Sequence, residues 1–194
     1  MALCLAHAAA GYLAYEAFRP AGSHRPWLLA GAVVLANAPD LDFLPGLAIG
    51  DPTAFHRGVT HTLGAAALLG AAAWLLARWR RAERPWWWAA FVLAAYGSHL
   101  VVDWMTVDAI PPFGIQLLWP LDGRWLHAPF ALFGEIIVDR SGRVAFLHSL
   151  VTPAALLAWV REIGIVMAVV ASVQLARAAA AAFRASALDD SVEP

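Results

Sequence analysis

The sequence predicts an all-α polytopic membrane protein of about five transmembrane or near-spanning helices, with one outer loop long enough to carry structure of its own. Three observations lead there. Of 194 residues, 61% are hydrophobic and 14% charged, against roughly 25% charged in a soluble domain. The apolar residues come in long runs, the pattern of a chain whose solvent is the bilayer. The basic residues, all of them Arg, crowd the ends of those runs.

Five segments follow in order: Ala2–Phe18, Trp27–Ala38, His61–Trp79, Trp86–Met105 and Ile163–Phe183. The first has no basic residue before Arg19. It therefore lacks the charged start of a signal peptide and is expected to stay as a helix. The second is short and stops at Pro39; twelve residues rise about 18 Å against a hydrocarbon core of about 30 Å. The third leads into Arg78, Arg80, Arg81 and Arg84. The fourth opens with Trp86-Trp87-Trp88, which reads as an interfacial aromatic belt. In the long loop, Glu135–Asp139 and Arg143–Leu147 flank Arg140-Ser141-Gly142 and predict a β-hairpin. Pro153–Val160 reads as a short helix on the membrane surface. Residues 1–185 make one integral-membrane domain, with 106–162 as the extracytoplasmic loop and 186–194 as a short polar tail.

Arg clusters at Arg19/Arg25, Arg78–Arg84 and Arg177/Arg184 fall at alternate connections. The positive-inside rule puts all three in the cytoplasm, with the N-terminus outside, the C-terminus inside and Pro39–Thr60 facing outward. A formal net charge of -1, with no basic stripe, argues against a nucleic-acid partner. The single Cys4 excludes an internal disulfide and a thiolate cluster; it is expected as a small buried apolar residue. No internal repeat points to an inverted-repeat transporter.

Ionisable residues inside membrane segments are costly, and each needs a reason. His7 lies in the first segment, and Asp40 and Asp42 close the second in Pro39-Asp40-Leu41-Asp42. His56 and His61 bracket Arg57-Gly58-Val59-Thr60, and His99 and Asp103 share one face of the fourth helix, four residues apart. All seven fall in the outer half of the orientation set by the arginines. Taken singly, each has a plain reading. A lone His is usually a hydrogen-bonded core residue, an i,i+4 His–Asp pair a polar contact between helices, and Asp51-Pro52 a turn. Arg57 could anchor in the interface. His24 lies on the cytoplasmic side, and His127 and His148 lack ligand-like neighbours. Together the seven point to a metal site recessed below the outer surface. Imidazole and carboxylate without thiolate suit zinc first, with manganese or iron as alternatives. Seven donors exceed one tetrahedral shell, so they would serve two ions, or one ion and a second shell.

The same residues carry a family resemblance. His7, Pro39-Asp40-Leu41-Asp42, His56-Arg57-Gly58-Val59-Thr60-His61-Thr62, Ser98-His99-Leu100-Val101-Val102-Asp103, Pro112-Phe113-Gly114-Ile115 and Trp119-Pro120 together resemble the YdjM-like membrane-bound metal-dependent hydrolases of bacterial inner membranes. The resemblance spans about residues 1–125. It implies hydrolysis without naming a substrate. His99-x-x-x-Asp103 is also similar to a ligand motif of zinc-dependent phospholipase C and related nucleases.

The expected chemistry is thus that of a membrane metallohydrolase with His7, Asp40, Asp42, His56, His61, His99 and Asp103 as metal ligands. A carboxylate outside the first shell, Asp42, would serve as general base. Arg57, turned back over the metals by the flexible Gly58, would hold an anionic group. A lipid or lipid-linked phosphoester entering from the outer leaflet is the expected substrate class. The rivals are a structural or sensory metal protein and an ion transporter. The apolar inner halves of the third and fourth segments speak against a transport path.

Overall fold

A computed structural model describes residues 4–20, 23–106, 113–134, 137–139 and 141–189. The described residues are helical, with turns, loops and two isolated β-bridges between the helices. The helices are α1 (Cys4–Phe18), α2 (Pro26–Asn37), α3 (Phe43–Ile49), α4 (Leu63–Trp79), α5 (Pro85–Trp104), α6 (Arg143–Ser149) and α7 (Pro153–Asp189). Short 3₁₀ segments at Ala38–Asp42 and Val59–His61 precede α3 and α4.

Helices α1, α2 and α5 form the centre. Small residues let their backbones approach, as in membrane bundles. A Cβ at Gly11 of α1 would lie 2.7 Å from the Ala32 carbonyl oxygen of α2. Ala14, Tyr15, Leu28, Ala32, Phe91 and Ala95 are buried together there. At one end of this core Phe18 meets Trp87 and Phe91 edge to face, and Trp27 stacks on Trp88. The Arg78–Arg84 turn joins α4 to α5 at that same end. Helix α7 runs parallel to α1. Its Glu162 accepts from the Ala6 N–H (2.8 Å), Gln174 meets the Tyr12 hydroxyl, and Arg177 pairs with Glu16 (2.5 Å).

Four sequence expectations are corrected. The five-span count is not supported: among the described residues two stretches, Pro26–Ile49 and Pro153–Arg184, are long and apolar enough to cross a membrane. The 15 residues of α1 and the 17 of α4 rise only about 22–26 Å, and Trp, Tyr, Ser, His and Asp dilute the 20 residues of α5. The β-hairpin is absent among the described residues. Residues 137–139 are irregular, and Arg143–Ser149 is helix after an extended Gly142; Glu135, Ile136 and Arg140 of that expectation lie outside the described residues. Pro153–Val160 is no separate surface helix but the first turns of α7, because Pro is accommodated at a helix start. Cys4 is exposed, not buried. The region expected as the loop Pro39–Thr60 also contains α3 and both 3₁₀ segments. Of the tail, residues 186–189 continue α7 and residues 190–194 lie outside the described residues.

Candidate metal centre

Pro39 shapes the first half of the site. It has no N–H, so the α pattern of α2 cannot continue to it. The chain tightens into the 3₁₀ segment, with the Ala38 N–H on the Leu35 carbonyl. This leaves the Ala36 carbonyl to accept from Nδ1 of His99 at 2.8 Å. That bond fixes the His99 tautomer and leaves Nε2 as an acceptor, as second-shell bonds do for metal-bound histidines.

The His56–His61 segment supplies the second half. His61 Nδ1 lies 3.2 Å from Asp42 Oδ2 and 3.0 Å from the Thr60 hydroxyl. Thr60 itself donates to Asp42 at 2.8 Å, and Tyr96 donates to the Thr60 carbonyl at 2.7 Å. His56 Nδ1 lies 3.1 Å from Asp42 Oδ1. Burial holds the His56 imidazole below its ordinary pKa against the pull of Asp42. Asp42 thus receives two imidazoles and one hydroxyl.

His61 and His99 direct their Nε2 atoms at each other, 3.0 Å apart. The Ala36 carbonyl commits the His99 proton to Nδ1; with the His61 proton likewise at Nδ1 against Asp42, the two Nε2 lone pairs would face one another across an ion. Asp40 Oδ1 lies 3.5 and 3.6 Å from these nitrogens, and Asp103 Oδ2 lies 3.4 and 3.6 Å away. These separations are too long for hydrogen bonds. They match the edges of a coordination shell, roughly 3.3 Å for a tetrahedron with bonds of about 2.0–2.1 Å. His7 stacks on His99 with centroids 3.8 Å apart. Asp103 and His7 are wholly buried. Among the described residues, neither oxygen of the one and neither nitrogen of the other has a hydrogen-bond partner. A buried carboxylate left in that condition is expensive, and a cation is the group that repairs it. His7/Asp40/His99, Asp40/His56/His61 and His61/His99/Asp103 each have geometry that could hold an ion.

Six of the seven sequence-selected donors fall in these groups; Asp42 lies instead against the Nδ1 atoms of His56 and His61. Arg57 is nearly buried, its Nη1 donating to the Gly114 carbonyl (3.2 Å) and its Nε 4.0 Å from Asp103. The left-handed residue of its turn is Arg57 itself (φ 62), while Gly58 has φ -80. Gly114 is also left-handed (φ 88), and a Cβ there would lie 2.1 Å from the Leu126 carbonyl oxygen. His24 bonds Tyr15, and His127 bonds the Ala128 carbonyl, away from the cluster. Thr60 and Tyr96 were not singled out from the sequence. Tyr96 stands three residues before His99, a spacing that shares its helix face.

A cleft of about 680 Å³ opens beside the cluster, between Asp42, His56, Arg57 and Thr60 on one side and Gln116 and Trp125 on the other. Leu41, Phe55 and Val59 line it too, all strongly exposed.

A family model described as YdjM inner membrane protein matches residues 1–183. The chain belongs to that family. No curated protein and no solved structure matches. Membership among the YdjM inner membrane proteins agrees with the exposed apolar faces of α4 and α7. The family match also continues through α7, well past residue 125 where the recognisable motifs stop.

Proposed function

We propose that the protein is a membrane-embedded metal-dependent hydrolase acting on a phosphoester of a lipid or lipid-linked molecule at the extracytoplasmic face. The observation that carries this is the pair of His61 and His99 Nε2 atoms, 3.0 Å apart, with an oxygen of Asp40 and an oxygen of Asp103 each within 3.4–3.6 Å of both. Zinc is the expected ion, with manganese or iron as alternatives. A bound divalent cation supplies Lewis acidity and makes water nucleophilic near neutral pH. Asp42 orients His56 and His61 from behind; its three partners suit it to that role better than to taking up a proton. Arg57 stands at the cleft wall, where a guanidinium matches phosphate oxygens. Its bond to Gly114 supports a second role, tying the outer segment to the site.

The mixed lining of the cleft suits an amphiphile: Asp42, His56, Arg57 and Thr60 share it with the exposed apolar side chains of Leu41, Phe55 and Val59. The orientation rests on the Arg78–Arg84 turn, which belongs in the cytoplasm. Because α1 and α7 both run from the cluster end towards the arginine end, the N-terminus then lies outside and the end of α7 inside. The test is hydrolysis of a panel of lipid phosphoesters by detergent-purified protein, with and without divalent ions. Metal-dependent turnover that falls in Arg57→Ala and Arg57→Lys is expected. Full activity of Arg57→Lys removes the phosphate-fork role. Absence of turnover with full metal loading favours a structural or sensory metal.

A further inference from the structure

The two carboxylates at the heart of the cluster each show different oxygens to different imidazoles. Asp103 presents Oδ2 to His61 and His99 but Oδ1 to His7, 3.6 Å from its Nε2. Asp40 does the same: Oδ1 faces His61 and His99, and Oδ2 faces His7 at 3.8 Å. If one ion filled the centre and His7 merely steadied its shell, His7 should donate a hydrogen bond to a ligating carboxylate. It does not. Both distances are beyond hydrogen-bond range, and neither ring nitrogen has a partner among the described residues although the ring is wholly buried. A nitrogen lone pair holds one ion, so the outward-facing oxygens and His7 define a separate position.

We infer that the site holds two divalent cations bridged by Asp40 and Asp103, one held by His61 and His99 and the other by His7. The inference rests on the metal-centre reading above and deepens it. The first position has four protein donors. The second has three, the number that leaves a place for water or substrate in catalytic zinc sites. Two ions sharing carboxylates form a clamp suited to the attacking and leaving oxygens of a phosphoryl group, which fits a phosphoester better than a single Lewis acid does.

The experiment counts ions rather than turnover. Full-length protein in detergent is stripped with a chelator, reloaded with Mn²⁺ and assayed by elemental analysis and by electron paramagnetic resonance. Wild type should take up two ions per chain and show the spectrum of an exchange-coupled pair. His7→Ala and the bulkier His7→Gln should each take up one, with an uncoupled spectrum. His24→Ala, away from the cluster, should keep two. Uptake of a single ion by wild type overturns the inference and leaves the hydrolase reading standing. Two coupled ions in both His7 variants overturn the assignment of the second position. No bound ion in wild type overturns both readings. A wild-type count of two without turnover on any phosphoester upholds the pair and removes the hydrolase.

Discussion

The two ends of the central helices are held together by opposite means. At the arginine end, α1, α2 and α5 close through Phe18, Trp27, Trp87, Trp88 and Phe91, rings stacked or edge to face. At the other end α1, α5 and the 3₁₀ segment after α2 bring His7, Asp40, His99 and Asp103 together, ionisable groups that desolvate one another. The aromatic end is complete with protein atoms alone. The cluster end leaves buried atoms of His7 and Asp103 without hydrogen-bond partners among the described residues, so under the proposed reading its stability depends on a bound ion.

The strongest way to break this comparison is to remove a ligand. Asp103→Ala should cut bound metal to background and His99→Ala should cut it to at most one ion per chain by elemental analysis while the protein still inserts, and His24→Ala should not. Full metal content in the first two would reduce the His99–Asp103 pair to a contact between helices.

Chelation comes next. Ligand present at a thousand times its Kd stabilises by about 4 kcal/mol. Stripping metal should therefore lower the Tm of wild type markedly. Phe91→Ala, at the aromatic end, should lower Tm by a similar amount with or without metal. A metal-dependent Phe91 effect would show that the two ends are not separable.

A smaller effect is expected at Asp42, which touches the imidazoles from behind. Asp42→Asn should weaken metal affinity by roughly 10–100-fold, read by competition with a chromophoric chelator. Loss as complete as in Asp103→Ala would make Asp42 a direct ligand.

The last test has no energetic effect and fixes the direction of the comparison. With exposed Cys4 replaced, a cysteine at Ala82 should resist an impermeant thiol reagent in intact cells, and one at Thr53 should react. Labelling at Ala82 from outside would put the cluster in the cytoplasm.

The sequence by itself determined the helical class, the membrane setting and which His and Asp residues to look for together. Periodicity, apolar runs and the cost of buried charge are local properties that any one segment displays. It misjudged what depends on partners. The 135–147 stretch alternates like a hairpin, yet among the described residues no neighbouring sheet stabilises a strand there, and Arg143–Ser149 winds into helix instead. The span count failed because α1 and α4 each pack on α5, so runs that look membrane-bound need not each meet the length and apolarity of a lone spanning helix. The roles within the donor set were likewise invisible. Nothing in Pro39-Asp40-Leu41-Asp42 says that Asp40 faces the converging imidazoles and Asp42 their backs. That division comes from the 3₁₀ turn forced by Pro39, from Tyr96 holding Thr60, and from His99 finding the Ala36 carbonyl across α2. Ligand type is written in side-chain chemistry, but which lone pair points inward is set by hydrogen bonds between segments up to 63 residues apart, and only tertiary structure brings those together.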